Sequence, residues 1–175
     1  MSNSARGQDL RNALKNFISV TQILTSDMLE AHKSLDKEKS NQFWARIFIR
    51  AFAAYIEGAI HGLKQTALQV AAITQVELKA AFCAILKDEG YDINDKGEPR
   101  VSKKFYRFEN NLKFAFHAFA HVHASEFKPD YNHDGYAALK RSMTVRDGLM
   151  HPKTIFGLEV TKEHILDVVR ASKWM

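Results

Sequence analysis

Apolar residues recur at helical spacing along most of the chain, and short polar stretches separate these segments. A period of about 3.6 residues is typical of amphipathic helices. The pattern predicts helices over about 9–35, 41–72, 74–87, 102–124, 134–149 and 161–173. Thr74 and Asp134 are the expected N-caps of two of them. We therefore predict an all-α fold, a compact bundle of five or six helices in a single domain over residues 9–175, after a flexible tail of residues 1–8.

The second predicted helix is apolar on most sides and carries one polar stripe. With a step of 100° per residue, the polar members fall within about 40°. They are Arg46, Arg50, Glu57 and Lys64. A helix of this kind is surrounded by neighbours, so the stripe has two interpretations. It is either a solvated face with ion pairs along the helix, or one wall of a basic cleft in which Glu57 holds an arginine.

Composition narrows the classes of protein. The chain has 8 Gly and 3 Pro, which is few for the many turns of an all-β protein. Its single cysteine, Cys83, excludes an intramolecular disulfide and a cysteine-rich metal site, and its apolar neighbours predict a buried structural thiol. The longest apolar run, 43–63, contains charged residues that would make membrane insertion costly. Since residues 1–9 have no apolar core, we predict a cytoplasmic protein without membrane contact.

The net charge favours polyanionic partners. The chain carries 25 Lys and Arg against 20 Asp and Glu, a formal charge of +5. A positive excess of this size is compatible with nucleic-acid binding but does not identify it.

An arginine and a histidine lie near the end of the fifth predicted helix. Arg146 is followed five positions later by His151, and then by Pro152. On a continuous helix five steps separate two side chains by about 140°, so they would not converge. Proline disfavours helical backbone at the preceding residue, and Gly148 weakens the last turn. The helix is therefore predicted to end between Leu149 and His151, at a bend that can bring the histidine back towards the arginine.

Such a pair suits phosphodiester chemistry. Arginine holds a phosphate through two hydrogen bonds and stabilises charge that builds on phosphorus. Histidine titrates near neutrality and can take a proton from a ribose 2′-hydroxyl or give one to the leaving oxygen. Asp147, four residues before His151, could orient or charge its imidazole. The alternative is that Arg146 and His151 only cap a helix C-terminus, where cations are favoured.

Residues 146–152, RDGLMHP, resemble the R-[polar]-x3-H signature of the HEPN superfamily (higher eukaryotes and prokaryotes nucleotide-binding). In that family the motif lies at the end of a helix in a small all-α bundle, and the residue after the arginine is typically polar. The resemblance implies a metal-independent endoribonuclease without a cofactor. Arg146 and His151 would be the catalytic pair and Asp147 the polar neighbour.

The resemblance also implies a biological setting. Many HEPN proteins are toxins or phage-defence effectors whose two protomers form one composite cleft. The implied partners are RNA, a second copy of the chain and an antitoxin protein, and the expected product carries a 2′,3′-cyclic phosphate. Other members are inactive. The alternative is therefore a non-catalytic helical module that binds a protein partner or a nucleotide.

Further residues are candidates for supporting and RNA-binding roles. The polar stripe offers Arg50 and Glu57 as the far wall of the site. Lys153 follows the motif directly and is a candidate RNA contact. Basic residues interleaved with aromatic ones also cluster at the start of the fourth predicted helix: Arg100, Lys103, Lys104, Arg107 and Lys113. This run is either an RNA-contacting patch or a solvated helix face.

Two motifs suggest metal binding and are incomplete. His117 and His121 are spaced to share a zinc ion, but no clear further ligands accompany them. Residues 130–135 fit the start of a calcium loop, D-x-N-x-D-G. The twelfth position of that loop is Arg141, which would repel the ion. We predict no metal site.

Overall fold

The computed structural model describes residues 3–38 and 41–175, without the side chains of residues 3–6. In these residues it contains six α-helices, a 3-10 helix and two strands. They are α1 (Asn3–Lys37), α2 (Gln42–Thr74), α3 (Ala80–Leu86), β1 (Glu89–Ile93), β2 (Pro99–Lys103), α4 (Phe108–Val122), α5 (Asp134–Met150), the 3-10 helix (Ile155–Leu158) and α6 (Lys162–Trp174). The predicted all-α class is confirmed, since helices make up 72% of the structure and the sheet is small.

The first helix begins earlier than its pattern predicts. The expected tail of residues 1–8 is helical from Asn3 onwards, and Met1 and Ser2 lie outside the described residues. Extending a formed helix fixes one more residue for one more hydrogen bond, so a polar segment without proline can continue it. Gln8 also donates a hydrogen bond to Asn12 one turn later, at 3.0 Å. The predicted break at 36–40 includes Lys39 and Ser40, which lie outside the described residues.

Thr74 does not cap a helix, contrary to the prediction. It is the last residue of α2, and its hydroxyl donates to the carbonyl oxygen of Val70 at 2.8 Å. The N-cap position of α3 is Lys79, five residues further along the chain, so Thr74 is too early to cap that helix. The chain leaves α2 at Gln75, which has a φ of 56°, and α3 starts only at Ala80.

The predicted loop 88–102 is a β-hairpin. Strands β1 and β2 are antiparallel, with Tyr91 opposite Val101. The side chain of Asn94 accepts hydrogen bonds from the backbone N–H groups of Lys96 and Glu98, at 3.0 and 2.9 Å, which closes the connecting turn. The turn also uses Gly97 at a φ of 78°, where glycine has no steric penalty.

The fourth helix starts six residues later than its predicted start at Ser102. The backbone N–H of Lys104 donates to the carbonyl oxygen of Asp88 at 2.8 Å, so the hairpin pairing continues through the segment that was expected to be helical. This bond joins residues sixteen positions apart, and helical periodicity carries no signal for it. The α4 helix therefore begins at Phe108.

The ends of α5 and α6 follow local chemistry. The α5 helix ends at Met150, as predicted, because His151 precedes proline and takes φ −130° and ψ 60°. Its N-cap is His133 rather than Asp134: the imidazole Nδ1 accepts the backbone N–H of Gly135 at 3.0 Å. Thr161 caps α6 in a reciprocal pair of hydrogen bonds with His164.

The described residues divide into two compact units. The first unit takes its described residues from 1–18 and 59–128, and the second from 19–58 and 129–175. Each unit therefore contains part of α1 and part of α2. The single domain over 9–175 stays a prediction.

The core of the first unit packs the end of α2 against α3 and α4. Its buried residues are Ala67, Ala71, Leu86, Ala118 and Val122. Lys64 is also fully buried in this unit. Its ammonium binds the carboxylate of Asp88 and donates to the amide oxygen of Asn111 at 3.0 Å. A buried ammonium needs such partners, because burying it without them is very costly.

The second unit buries a carboxylate between two arginines. Asp167 on α6 is 2% exposed. It accepts two hydrogen bonds from Arg141 on α5, at 2.8 and 2.7 Å, and one from Arg170 at 3.2 Å. The hydrogen bonds from Arg141 lower the pKa of Asp167, against an opposing effect of burial. The two hydrogen bonds between Arg141 and the charged carboxylate of Asp167 therefore hold α5 to α6.

Two glycines bring α1 and α2 close together. A Cβ atom at Gly62 would lie 2.0 Å from Cδ2 of Phe17, in the first unit. One at Gly58 would lie 2.6 Å from Cδ1 of Leu24, in the second. Real Cβ atoms do not approach other atoms this closely, so each position needs glycine for the observed contact.

Replacing Gly62 with alanine is expected to lower the free energy of unfolding by about 1–3 kcal/mol, because the Phe17 ring must move. Urea denaturation followed by circular dichroism measures the change. Gly7→Ala is the matched control, because Gly7 is also a helical glycine, in α1, but a Cβ there meets nothing within 4 Å. It should stabilise the protein by up to about 1 kcal/mol through helix propensity. Equal effects of the two variants would contradict the close-packing argument.

The stabilisation from Asp167 should depend on pH. Since its pKa is lower in the folded state, the contribution is present above the unfolded-state value, about 3.9, and is lost as the pH falls through the folded-state value. At pH 7 we expect Asp167→Asn to cost about 1–3 kcal/mol, and the cost should shrink at pH 3. Urea denaturation at both pH values tests this. Glu163→Gln, which alters an exposed partner of Arg170, is the control and should change little.

Candidate functional site

The predicted catalytic pair lies at the C-terminal end of α5. Arg146 is in the last turns of the helix, and His151 is the first residue after it, with an exposed side chain. The backbone N–H of His151 donates to the carbonyl oxygen of Asp147 at 3.0 Å. The helical hydrogen bonding therefore continues one residue past the helix before Pro152 ends it. Convergence of the Arg146 and His151 side chains stays a prediction.

The guanidinium of Arg146 is held from two sides. Its Nη2 donates to the carboxylate of Glu57, which lies on α2, and its Nη1 lies 3.3 Å from the carboxylate of Asp147. The arginine side chain is 23% exposed, and its Nε atom is buried without a hydrogen-bond partner among the described residues. Two carboxylates thus orient an arginine that still has an unused donor.

Two further arginines of α2 bind the backbone around the motif. Arg50 donates from Nη2 to the carbonyl oxygen of Leu149 at 2.9 Å, and Arg46 donates to that of Leu158 at 3.4 Å. The last carbonyl groups of a helix have no partner within the helix, and cations are favoured there. Arg50 therefore caps α5 from the neighbouring helix.

The polar stripe of α2 matches neither of its two interpretations completely. Three of its members, Arg46, Arg50 and Glu57, bind the chain around the α5 terminus in the second unit. The fourth member, Lys64, is buried in the first unit with Asp88 and Asn111. The stripe is thus neither a simple solvated face nor one continuous wall.

The predicted RNA-binding residues lie in both units. Lys153 is exposed in the segment that follows Pro152, in the second unit. Lys103, Lys104 and Arg107 are exposed in the first unit, on β2 and the connection to α4. They were expected on a helix face, and the hairpin moves them onto extended backbone.

Sequence reasoning missed an exposed apolar segment beside the motif. Met150, Ile155 and Phe156 are 53%, 78% and 79% exposed. Ile155 and Phe156 are the first two residues of the 3-10 helix, which begins four residues after His151. The sequence did contain a signal for this exposure: Ile155 and Phe156 are adjacent in a short segment between Pro152 and Gly157. Such a segment has no helical or strand periodicity that would predict burial of the two side chains.

The second unit also contains a cavity of about 520 Å³. It lies among the end of α1, the start of α2 and the start of α6, and its polar lining includes Asn41, Thr161 and Lys162. Gln42 in the same lining is already paired: its amide exchanges two hydrogen bonds with the backbone of Val160, at 2.9 and 2.8 Å. This pairing fixes the start of α2 to the segment before α6.

The suggested metal ligands have other contacts. The rings of His117 and His121 stack with centroids 6.2 Å apart. Asp130 accepts the backbone N–H of Asn132 at 2.9 Å, as in an ordinary turn. In residues 3–38 and 41–175 no cluster of three or more His, Cys, Asp or Glu side chains is arranged to hold a metal. Cys83 is partly exposed rather than buried.

None of the helices in the described ranges combines the length and the apolar character that crossing a membrane requires. Comparisons of the chain with models of protein families, with curated proteins and with solved structures found no match.

Replacing Arg50 with glutamine should uncap α5. We expect a loss of about 1–2 kcal/mol in the free energy of unfolding, because a partly buried carbonyl group loses a charged donor. Arg46→Gln is the matched control, since its hydrogen bond to Leu158 is longer and should contribute less. Chemical denaturation of both variants measures the difference, and an equal loss would contradict the capping role.

Proposed function

We propose that the protein is a metal-independent endoribonuclease of the HEPN type. In this proposal Arg146 and His151 form the catalytic pair, Asp147 is the polar neighbour, and Arg50 and Glu57 support the site from α2. The sequence resemblance of residues 146–152 supplies the chemistry. Support from the fold is the all-α class and the position of the motif at the end of a helix.

The observation that carries the proposal is the fixed guanidinium of Arg146. Glu57 and Asp147 hold it near the end of α5. The exposed side chain of His151 follows five residues later along the chain. Electrostatic stabilisation of a transition state is most effective when the charged group is oriented before the reaction. An arginine that only balanced the helix terminus would not need a carboxylate from another helix.

The proposed reaction is a transesterification within the RNA. As general base, the imidazole of His151 takes the proton from a 2′-hydroxyl, and the 2′-oxygen forms a bond to the adjacent phosphorus. The bond from phosphorus to the 5′-oxygen breaks, and that oxygen leaves with a proton from solvent. Arg146 stabilises the charge on the phosphoryl oxygens. The products are a 2′,3′-cyclic phosphate and a 5′-hydroxyl.

The charges around the site suit a phosphate backbone. Arg46, Arg50, Arg146 and Lys153 supply four positive charges, and Glu57 and Asp147 supply two negative ones. The excess of two cations favours a polyanion, because each phosphate contact releases bound counterions. Lys153, Lys103, Lys104 and Arg107 are the proposed RNA contacts outside the catalytic pair.

We also propose that two copies of the chain pair their motifs, as in many HEPN proteins. Exposed Met150 lies within the motif, and exposed Ile155 and Phe156 follow it closely; apolar residues of this kind are enriched in the centre of subunit interfaces. The proposed setting is a cytoplasmic toxin or phage-defence effector, with an antitoxin protein as a further partner.

The alternative function is a non-catalytic helical module that binds a protein or a nucleotide. One observation favours it, the cavity of about 520 Å³ in the second unit, since small-molecule sites commonly measure about 300–1,000 Å³. Its lining contains one cation, Lys162, and one carboxylate, Asp36, beside the hydroxyl of Thr161, a mixed set that suits a polar ligand such as a nucleotide.

Cleavage of RNA in the presence of EDTA tests the two functions. The native protein is expected to cut an unstructured RNA and leave 2′,3′-cyclic phosphate ends. Arg146→Ala and His151→Ala should each lower the rate at least 100-fold, because general acid–base and charge stabilisation each contribute about that much. Glu57→Gln should lower it less, since it releases the arginine without removing it.

His117→Ala is the matched control for the histidine, since His117 is exposed on α4 and lies outside the proposed site. This variant should cut at the native rate. Circular dichroism checks that each variant folds. No cutting by the native protein, or cutting that survives loss of both Arg146 and His151, would contradict the nuclease and favour the binding module.

A further inference from the structure

One face of the β1–β2 hairpin is apolar and open to solvent. The register places Tyr91 opposite Val101 and Ile93 opposite Pro99, and residues directly opposite each other project from the same face. Tyr91, Ile93 and Val101 are 69%, 72% and 55% exposed. A soluble protein rarely leaves contiguous apolar side chains exposed unless they contact something.

An aromatic ring follows this face directly. Phe105, two residues after β2, is 94% exposed. Its neighbours are anchored: the backbone of Lys104 donates to Asp88 at 2.8 Å, and the hydroxyl of Tyr106 donates to the carbonyl oxygen of Glu89 at 3.3 Å. The exposure of Phe105 is therefore imposed by fixed residues on both sides and does not come from a loose loop.

The excess of positive charge lies in the segment from β2 to α4, next to Phe105, whereas β1 carries the acidic residues Glu89 and Asp92. Residues 99–108 contain four cations and no carboxylate, and the cations are exposed: Arg100, Lys103, Lys104 and Arg107. Across the hairpin, Asp92 lies opposite Arg100 and Glu89 opposite Lys103. Lys104 and Arg107 flank Phe105 on either side. Phe105 is thus flanked along the chain by two cations that no residue of β1 opposes, and the ammonium of Lys104 lies 6.0 Å from the ring centroid of Tyr106.

We infer that the hairpin face of Tyr91, Val101 and Lys103, together with Phe105 and its sequence neighbour Lys104, is a docking surface for single-stranded RNA. Exposed aromatic rings beside cations are how proteins bind single strands, since bases stack on the rings and cations follow the phosphates. A duplex keeps its bases stacked inside and would leave the rings unused. The choice of RNA as the polyanion rests on the proposed function.

Binding is measured with an oligonucleotide that the proposed chemistry cannot cut. A fluorescently labelled 2′-O-methyl oligouridylate of twelve residues has no free 2′-hydroxyl, so the full native chain can be titrated against it by fluorescence anisotropy. We expect the single strand to bind at least tenfold more tightly than a duplex of the same length. Phe105→Ala should weaken binding about tenfold through loss of one stacked base.

The matched control is Phe43→Ala, which removes another exposed aromatic ring, at the start of α2. It should bind the oligonucleotide like the native chain. Lys104→Gln should reduce the slope of the logarithm of affinity against the logarithm of salt concentration by about 0.7, the loss of one phosphate contact. Because Phe105 is almost fully exposed, its variant should keep the native melting temperature, and this is checked first.

Unchanged affinity of Phe105→Ala would overturn the inference, as would an equal loss with Phe43→Ala. Light scattering provides a separate test: a dimer that Phe105→Ala dissociates, with RNA affinity unchanged, would assign this face to a second copy of the chain. A protein that binds through Phe105 but cuts no RNA would contradict the proposed nuclease and keep this docking surface. One that cuts RNA but binds without Phe105 would contradict only the docking surface.

Discussion

The contact between Glu57 and Arg146 joins two helices that are far apart in the sequence, and the proposed chemistry depends on it. A carboxylate on α2 fixes a guanidinium on α5, while Arg50 from the same face of α2 binds the carbonyl oxygen of Leu149. Both interactions hold the C-terminal end of α5 against α2. The position of His151 follows from them, since it is the first residue beyond that end. A change in the α2–α5 contact would therefore act on both members of the proposed catalytic pair.

The α2 helix contributes polar contacts to both units, but these contacts differ in kind. In the second unit, the arginines of α2 satisfy backbone carbonyl groups near the surface. In the first unit, Lys64 is buried, and its ammonium depends on Asp88 and Asn111. Hydrogen bonds to partly exposed groups contribute modestly, whereas a buried ammonium without its partners would be strongly destabilising. One stripe of polar residues thus has a structural role in one half of α2 and surrounds the candidate site in the other.

The hairpin shows where periodicity fails as a predictor. Tyr91, Ile93 and Val101 alternate as strand residues do, but each run is only five residues long and lies among turn-forming residues. The pairing also depends on a hydrogen bond between Lys104 and Asp88, which no local pattern encodes. The consequence for function is direct, because the basic residues expected on a helix face lie instead on and beside a strand. Phe105, which was expected on the same helix, likewise lies between β2 and α4 and is exposed.

Residue order alone determined the all-α class, the end of α5 before Pro152 and the polar stripe of α2. Each of these depends on local backbone preferences or on the helical period, which act between residues a few positions apart. Only the tertiary structure decided that Glu57 binds Arg146, that Lys64 is buried and that residues 89–103 pair as strands. The strand pairs join residues up to 14 positions apart, and the contact between Glu57 and Arg146 joins residues 89 positions apart. Their formation depends on how whole elements pack, and no spacing along the chain specifies that.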